Sequence, residues 1–390
     1  MNNSSITGFD VQAVTLYSIA VYWRNEPDRG AELLGEAICM GMALGMNRKE
    51  FTKIYGAGDP LLEESWRRTW WVLYINDAHI SWSTHRFPFR TSGIEKTMDL
   101  PCEEDEYEKG AIPPPKSLED YENREFLGDD ETNFSSYTEL IGLTLAIDRV
   151  ITSGYKLGAQ KYNAMASRTD TSIWGWYSLL PPAKRALIRA DGSVDEIMFK
   201  SLFIMHTYFV EVHRPLSALT YSAIESVSHC APLPPSEELK FNHTIEREVH
   251  TARCIKAIDT IDEFLTLPTN IKTHSPFIIC MIAGLTIAHL SACRYVYTGE
   301  RLTKRREKIR LTMGTLKNLS EHWAFAKRIY REIGIIAREL LSLSKDTPTP
   351  STTVDMSSID LTALGSLPDA DFDFCAFFDS STTSHSEPSS

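Results

Sequence analysis

The sequence predicts an all-α protein, a multi-helix bundle followed by a disordered acidic tail. Three observations predict it. Apolar residues recur at helical spacing in one segment after another. No strand alternation with hairpin turns recurs, and no repeat at a fixed period is found. The composition, 43% apolar and 24% charged over 390 residues, supplies a sizeable core and excludes a wholly disordered or disulfide-stapled chain.

In chain order, residues 31–46 carry the stripe Leu33, Ala37, Met40, Leu44, one apolar helix face, with Gly45 as its stop. Residues 62–82 repeat the pattern through Trp66, Trp70, Leu73, Asp77 and Ile80. Asp77 falls on the apolar stripe, so it is expected to be buried. A buried carboxylate needs donors. Arg67, Arg86 and backbone amides around Phe87-Pro88 are the candidates. Residues 1–98 form the first unit.

Residues 99–134 lose all periodicity, with acids at 103–106 and Pro113-Pro114-Pro115, and read as a solvated surface loop or partly disordered connection. Helical patterns resume over 135–345, at 135–157 from a Ser135 cap, at 195–214 ending before Pro215, and at 243–266. Phe277 to Leu290 is apolar but too short for the ~20 residues of a membrane span, so a buried core helix is predicted and no membrane partner. Leu316, Leu319, Trp323, Ala326, Tyr330, Ile333, Ala337 and Leu340 form a strict heptad seam. It predicts one long helix, either in a dimer coiled coil or packed within the bundle. Ile329, Ile335 and Ile336 widen the face and favour the bundle.

The net charge of −12 is uneven: residues 346–390 carry −8 and no Lys or Arg. An acidic chain is a poor free-standing nucleic-acid binder. The run Arg301, Lys304, Arg305, Arg306, Lys308, Arg310 is either a solvated helix face or a nuclear localisation signal centred on Lys304, Arg305, Arg306 and Lys308. In the tail, aspartates alternate with Phe372, Phe374, Phe377 and Phe378. That mixture is the composition of a transcriptional activation segment, and a solubilising tail is the alternative.

Catalytic signatures are missing: no G-x-S-x-G, P-loop, H-E-x-x-H or dinucleotide fingerprint is present. His206 and His213, and again His243 and His250, stand seven apart, about 10 Å along a helix, too far to share one metal. They read as structural. The seven cysteines include no C-x-x-C pair, which argues against a zinc site and for free thiols in a reducing intracellular compartment. No enzyme, cofactor or metal is expected in this chain.

Several stretches carry a resemblance to a known family. They are Gln12-Ala13-Val14 with residues 34–48, and Glu64-Ser65-Trp66-Arg67-Arg68-Thr69-Trp70-Trp71-Val72-Leu73-Tyr74 with Asp77 and Arg86-Phe87-Pro88. To these add Asp99-Leu100-Pro101, Tyr208 with His213-Arg214-Pro215-Leu216, Ser275-Pro276-Phe277 and Trp323-Ala324-Phe325-Ala326. Over about residues 10–340 the chain resembles the fungal-specific transcription factor domain, the helical region that accompanies zinc binuclear cluster DNA-binding domains. Regulators of secondary-metabolite gene clusters are the subgroup it resembles most.

The resemblance implies a nuclear regulator in which Trp66, Arg67, Arg68, Trp70, Trp71, Asp77, Arg86, Pro88, His213, Arg214 and Pro215 are structural. It implies transcription machinery or co-regulators as partners, a homo- or heterodimer, a small-molecule effector, and DNA contact through a missing or partner domain. The six-cysteine zinc cluster of such factors has no counterpart here, so a truncated gene or a regulator working through a partner is expected. A helical interaction or effector-binding protein without its own DNA-binding module is the alternative, and an enzyme is the third reading.

Overall fold

The structure is a computed structural model and describes residues 6–126, 133–154, 161–232, 234–235 and 244–342. Fourteen α-helices are found among the described residues, with isolated bridges but no strand. The all-α expectation holds. The helices are α1 Gly8–Trp23, α2 Pro27–Leu44, α3 Lys49–Tyr55, α4 Pro60–Ser83, α5 Glu104–Glu108, α6 Leu118–Glu122 and α7 Ser136–Gly154. They continue as α8 Lys161–Leu179, α9 Pro182–Arg185, α10 Glu196–His213, α11 Thr244–Phe264, α12 Ile278–Tyr295, α13 Gly299–Ser320 and α14 Ala324–Ser342.

Helix α1 starts at a reciprocal cap. Thr7 Oγ1 accepts from the Asp10 amide, and the Asp10 carboxylate accepts from the Thr7 amide. Helix α2 ends at Gly45, whose φ of 76° is the left-handed conformation that glycine adopts without a Cβ penalty. Its buried face differs from the predicted stripe. Leu34, Ala37 and Ile38 are buried together with Gly30, Gly35 and Gly41, whereas Leu33, Met40 and Leu44 are only partly covered. A hydropathy stripe does not count glycine, and here glycine sets the closest approach. A Cβ at Gly30 would lie 2.6 Å from Tyr22 Cβ and 2.7 Å from the Tyr22 backbone.

Helix α4 crosses the core with Trp66, Trp70, Trp71, Leu73 and Tyr74 buried. Asp77 is buried among them, and Asp77 Oδ2 accepts from the Thr91 amide and the Thr91 hydroxyl, each at 2.7 Å. A loop amide therefore serves it, just beyond the Phe87-Pro88 cis bond. Neither arginine does. Arg67 Nε donates to Glu64 at 2.7 Å, and Arg86 lies exposed, 3.8 Å from Asp28.

The 99–134 stretch is more ordered than its composition suggests. It holds α5, α6 and a short 3-10 turn at Arg124–Phe126, with residues 127–132 outside the described set. Trp71 Nε1 donates to Asp99 O at 2.9 Å, Ser135 Oγ to Pro101 O at 2.7 Å, and Tyr121 Oη to Glu139 at 2.7 Å. Of the acids expected in water, Asp105 is exposed, but Glu103, Glu104 and Glu106 are half-buried: Glu104 pairs with Arg68 at 2.7 Å, and Glu103 pairs with Lys184. Charge pairing to helices distant in sequence fixes a segment that has no period of its own.

Ser135 caps α7, accepting from the Thr138 amide at 3.0 Å. Helix α12 is the one described helix long and apolar enough to cross a membrane, and 83% of it is buried within the bundle. The heptad seam is not one helix. It breaks at residues 321–323 between α13 and α14, and the two pack against each other and against α12. Ile329, Ile333, Ile336, Ala337 and Leu340 are fully buried. Spacing is blind to a turn that happens to preserve the register. The free-thiol expectation is also corrected: Cys230 and Cys280 are joined as a disulfide, which brings the loop after Pro215 onto α12.

Candidate functional site

Helix α10 lines three cavities of the bundle, one near its start and two near its end. Asp195 caps it, accepting from the Met198 amide at 3.0 Å and from Ser136 Oγ at 2.6 Å. It stops at His213 because Pro215 cannot continue the ladder, and Arg214–Leu216 tightens into a 3-10 turn. Most of its side chains are buried apolar groups, among them Phe199, Leu202, Phe203, Tyr208 and Val210. Among the ionisable residues that interrupt this surface are Lys200 and Glu211, about 16 Å apart along the axis.

Around Lys200 lies a cavity of about 370 Å³. Val72, Leu140, Phe203, Ile278 and Met281 give it apolar walls, and its polar lining holds Arg68, Glu104, Glu196 and Lys200. Arg68 is held by Glu64 at 2.9 Å and Glu104 at 2.7 Å. Glu196 faces His274 Nδ1 at 3.1 Å. Lys200 makes no hydrogen bond or ion pair, and burial alone pulls its ammonium down to about 8. Burial also takes His274 down to about 4, so its ring is neutral at pH 7. The proton on Nδ1 then faces Glu196, which leaves Nε2 a bare acceptor. His274 Nε2 and Tyr137 Oη, both lining the cavity, are buried and without hydrogen-bond partners.

Around Glu211 the chemistry is the reverse. Two smaller cavities, about 30 and 140 Å³, share His85, Glu211 and Pro232. Burial raises the Glu211 carboxyl to about 8 and lowers the His85 imidazole, so both groups are neutral at pH 7 although they stand 3.7 Å apart. Trp82, Tyr208, Tyr162 and Phe87 complete a mostly apolar surface, whose one lining cation, Arg214, is paired with Glu225 at 2.8 Å.

The histidines meet across helices. His213 Nδ1 lies 2.8 Å from His250 Nδ1, while His213 Nε2 is 3.2 Å from Asp170, which also pairs with Arg253. Burial carries His213 down to about 4. Asp170 sits on the ring nitrogen opposite His250, so the three do not converge on a point. Among the described residues no group of three His, Cys, Asp or Glu could hold a metal ion. Of the described cysteines, Cys39 is exposed, Cys102 is half-buried, Cys254 and Cys293 are buried, and Cys230 is taken by Cys280. These residues do not fit a zinc cluster.

The other predicted residues are dispersed. Trp66, Arg67, Trp70, Trp71, Asp77, His213, Arg214 and Pro215 are buried, Arg68 is half-buried, and Arg86 and Pro88 are exposed. Within the basic run, Arg305 is buried, 2.8 Å from Asp259 and 3.2 Å from His289 Nδ1, so it is not displayed on a free surface. Lys304 pairs with Glu300 at 2.8 Å, and Lys308 lies 4.0 Å from Asp262. Phe372, Phe374, Phe377 and Phe378, like His243, lie outside the described residues. Sequence reasoning missed Lys200, Glu211, Tyr137 and His274. The one signal was a charged residue inside the apolar run Phe199 to Phe203.

Residues 10–178 match the family model of the fungal specific transcription factor domain. That segment is a fungal specific transcription factor domain. A curated relative, the C6 finger domain transcription factor iacK of Pestalotiopsis fici, is 30% identical over 340 residues, 87% of this chain and 49% of that protein. The chain spans about half the length of this relative. No solved structure matches significantly. The Lys200 cavity straddles the edge of the fungal specific transcription factor domain as matched. Arg68, Val72, Tyr137 and Leu140 come from within it, while residues 196–203 and 274–281 lie beyond.

Proposed function

We propose that this chain is the helical regulatory part of a fungal transcription regulator, acting on a secondary-metabolite gene cluster. The domain match over residues 10–178 carries the reading, and the name of the relative supports it. The chain then works by binding and not by catalysis. It holds no zinc of its own, reaches DNA through a zinc-cluster domain on a partner or elsewhere in the protein, and acts in the nucleus as a homo- or heterodimer. The acidic tail engages co-regulators or transcription machinery through Phe372, Phe374, Phe377 and Phe378, whose charged neighbours keep them solvated until a partner groove takes them. A role in effector binding is favoured by the unpaired cation of the Lys200 cavity.

The test is a fusion of residues 346–390 to a foreign DNA-binding domain. It is expected to activate a reporter, and replacing the four phenylalanines by serine is expected to abolish activation. A silent fusion, with the full chain excluded from nuclei, would sink the reading.

A further inference from the structure

We infer that the cavity beside α10 binds a small monocarboxylate with an apolar body, its carboxylate paired with Lys200 and its body lying among Phe199, Phe203 and Met281. The volume, about 370 Å³, falls within the roughly 300–1,000 Å³ of small-ligand sites. The walls are apolar and the polar groups few, which is the make-up of such sites.

The unpaired Lys200 sets the ligand class. Arg68 is paired with Glu64 and Glu104, and Glu196 is hydrogen-bonded by the neutral His274, so Lys200 is the cation of this lining that has no anion within ion-pair distance. A half-buried ammonium without an anion is unfavourable, and one carboxylate answers it. A second negative group would meet Glu104 and Glu196 in the same lining, which selects against dicarboxylates. Tyr137 Oη is a second donor for the anion, and His274 Nε2 accepts from a hydroxyl on the ligand body. Amines are disfavoured by Lys200 itself. In the cavities around Glu211 the one lining cation, Arg214, is already paired with Glu225.

This assignment deepens the effector-binding reading, but binding is measured on the purified chain, independently of transcription. The probes are 4-hydroxyphenylacetate, octanoate and 2-naphthylacetate, each titrated calorimetrically beside its primary amide. At least one acid is expected to bind ten-fold or more tightly than its amide. Lys200→Met is expected to reduce that acid to the level of the amide, while melting at or above the wild-type temperature because an unpaired charge has gone. Tyr137→Phe is expected to weaken the acid several-fold with the amide unchanged, and it serves as the test if Lys200→Met does not fold. No acid binding more tightly than its amide would overturn the assignment, as would a folded Lys200→Met chain that keeps wild-type affinity. A silent reporter beside intact acid binding would refute the transcription reading alone.

Discussion

Arg214 Nη2 donates to Glu225 Oε1 at 2.8 Å, and neither side chain reaches solvent. The pair ties the end of α10 to the 3-10 turn Ala223–Val227, and Arg214 Nε also donates to Leu219 O. Removing one member strands the other charge in the interior. Glu225→Ala is expected to destabilise the fold by about 3–5 kcal/mol. The double change Arg214→Met with Glu225→Leu is expected to recover most of that loss. Urea midpoints of wild type and the two variants check this, and a Glu225→Ala chain as stable as wild type refutes it.

Glu211 makes stability depend on pH. Its carboxyl moves from an ordinary value of 4.5 to about 8 on folding, because burial disfavours the anion. The folded chain then holds a proton that the unfolded chain releases. Its contribution is level below about pH 4.5, falls as pH rises, and reaches its full cost above pH 8. Each tenfold change in proton affinity between the two states is worth about 1.4 kcal/mol, so the effect is a few kcal/mol. Glu211→Gln is expected to flatten the melting temperature between pH 5 and 9 and to exceed wild type at pH 9. Parallel melting curves for the two proteins count against it.

Gly30→Ala places a methyl group against the Tyr22 backbone. The α1–α2 contact cannot yield through a flexible side chain, because the obstructing atoms are main chain and Cβ. A loss of roughly 1–3 kcal/mol is expected. Gly284→Ala, on α12, meets nothing within 4 Å and is the control, expected to change stability by less than a third as much. Equal losses at both sites refute the close-approach account.

Asp77→Ala strands the buried Thr91 amide and hydroxyl, each of which donates to Asp77 at 2.7 Å. A cost of about 2–4 kcal/mol is expected for the two together. Asp77→Asn keeps one acceptor oxygen and is expected to lose less. Hydrogen exchange at the Thr91 amide reports the effect locally, and unchanged protection in the alanine variant speaks against it.

Fold class was legible because helical period needs only apolar spacing, and this chain repeats it in most segments. The burial of Asp77 was legible for the same reason, from its place on the α4 stripe. Its partner was not, since a loop amide leaves no side-chain signature. The α2 face was misread because glycine packs without being hydrophobic. The α13–α14 break was hidden because residues 321–323 preserve the heptad count. The site itself was almost invisible. Lys200, Tyr137 and His274 come from three distant segments, and only packing shows that one lysine among them lacks a counter-charge.

The corner at residues 321–323 folds the longest apolar ridge of the sequence back upon its own body. That ridge is no longer offered to a second molecule as a zipper. Leu316, Leu319, Ile333 and Leu340 are spent on the interior, and pairing two chains through them would require the bundle to open.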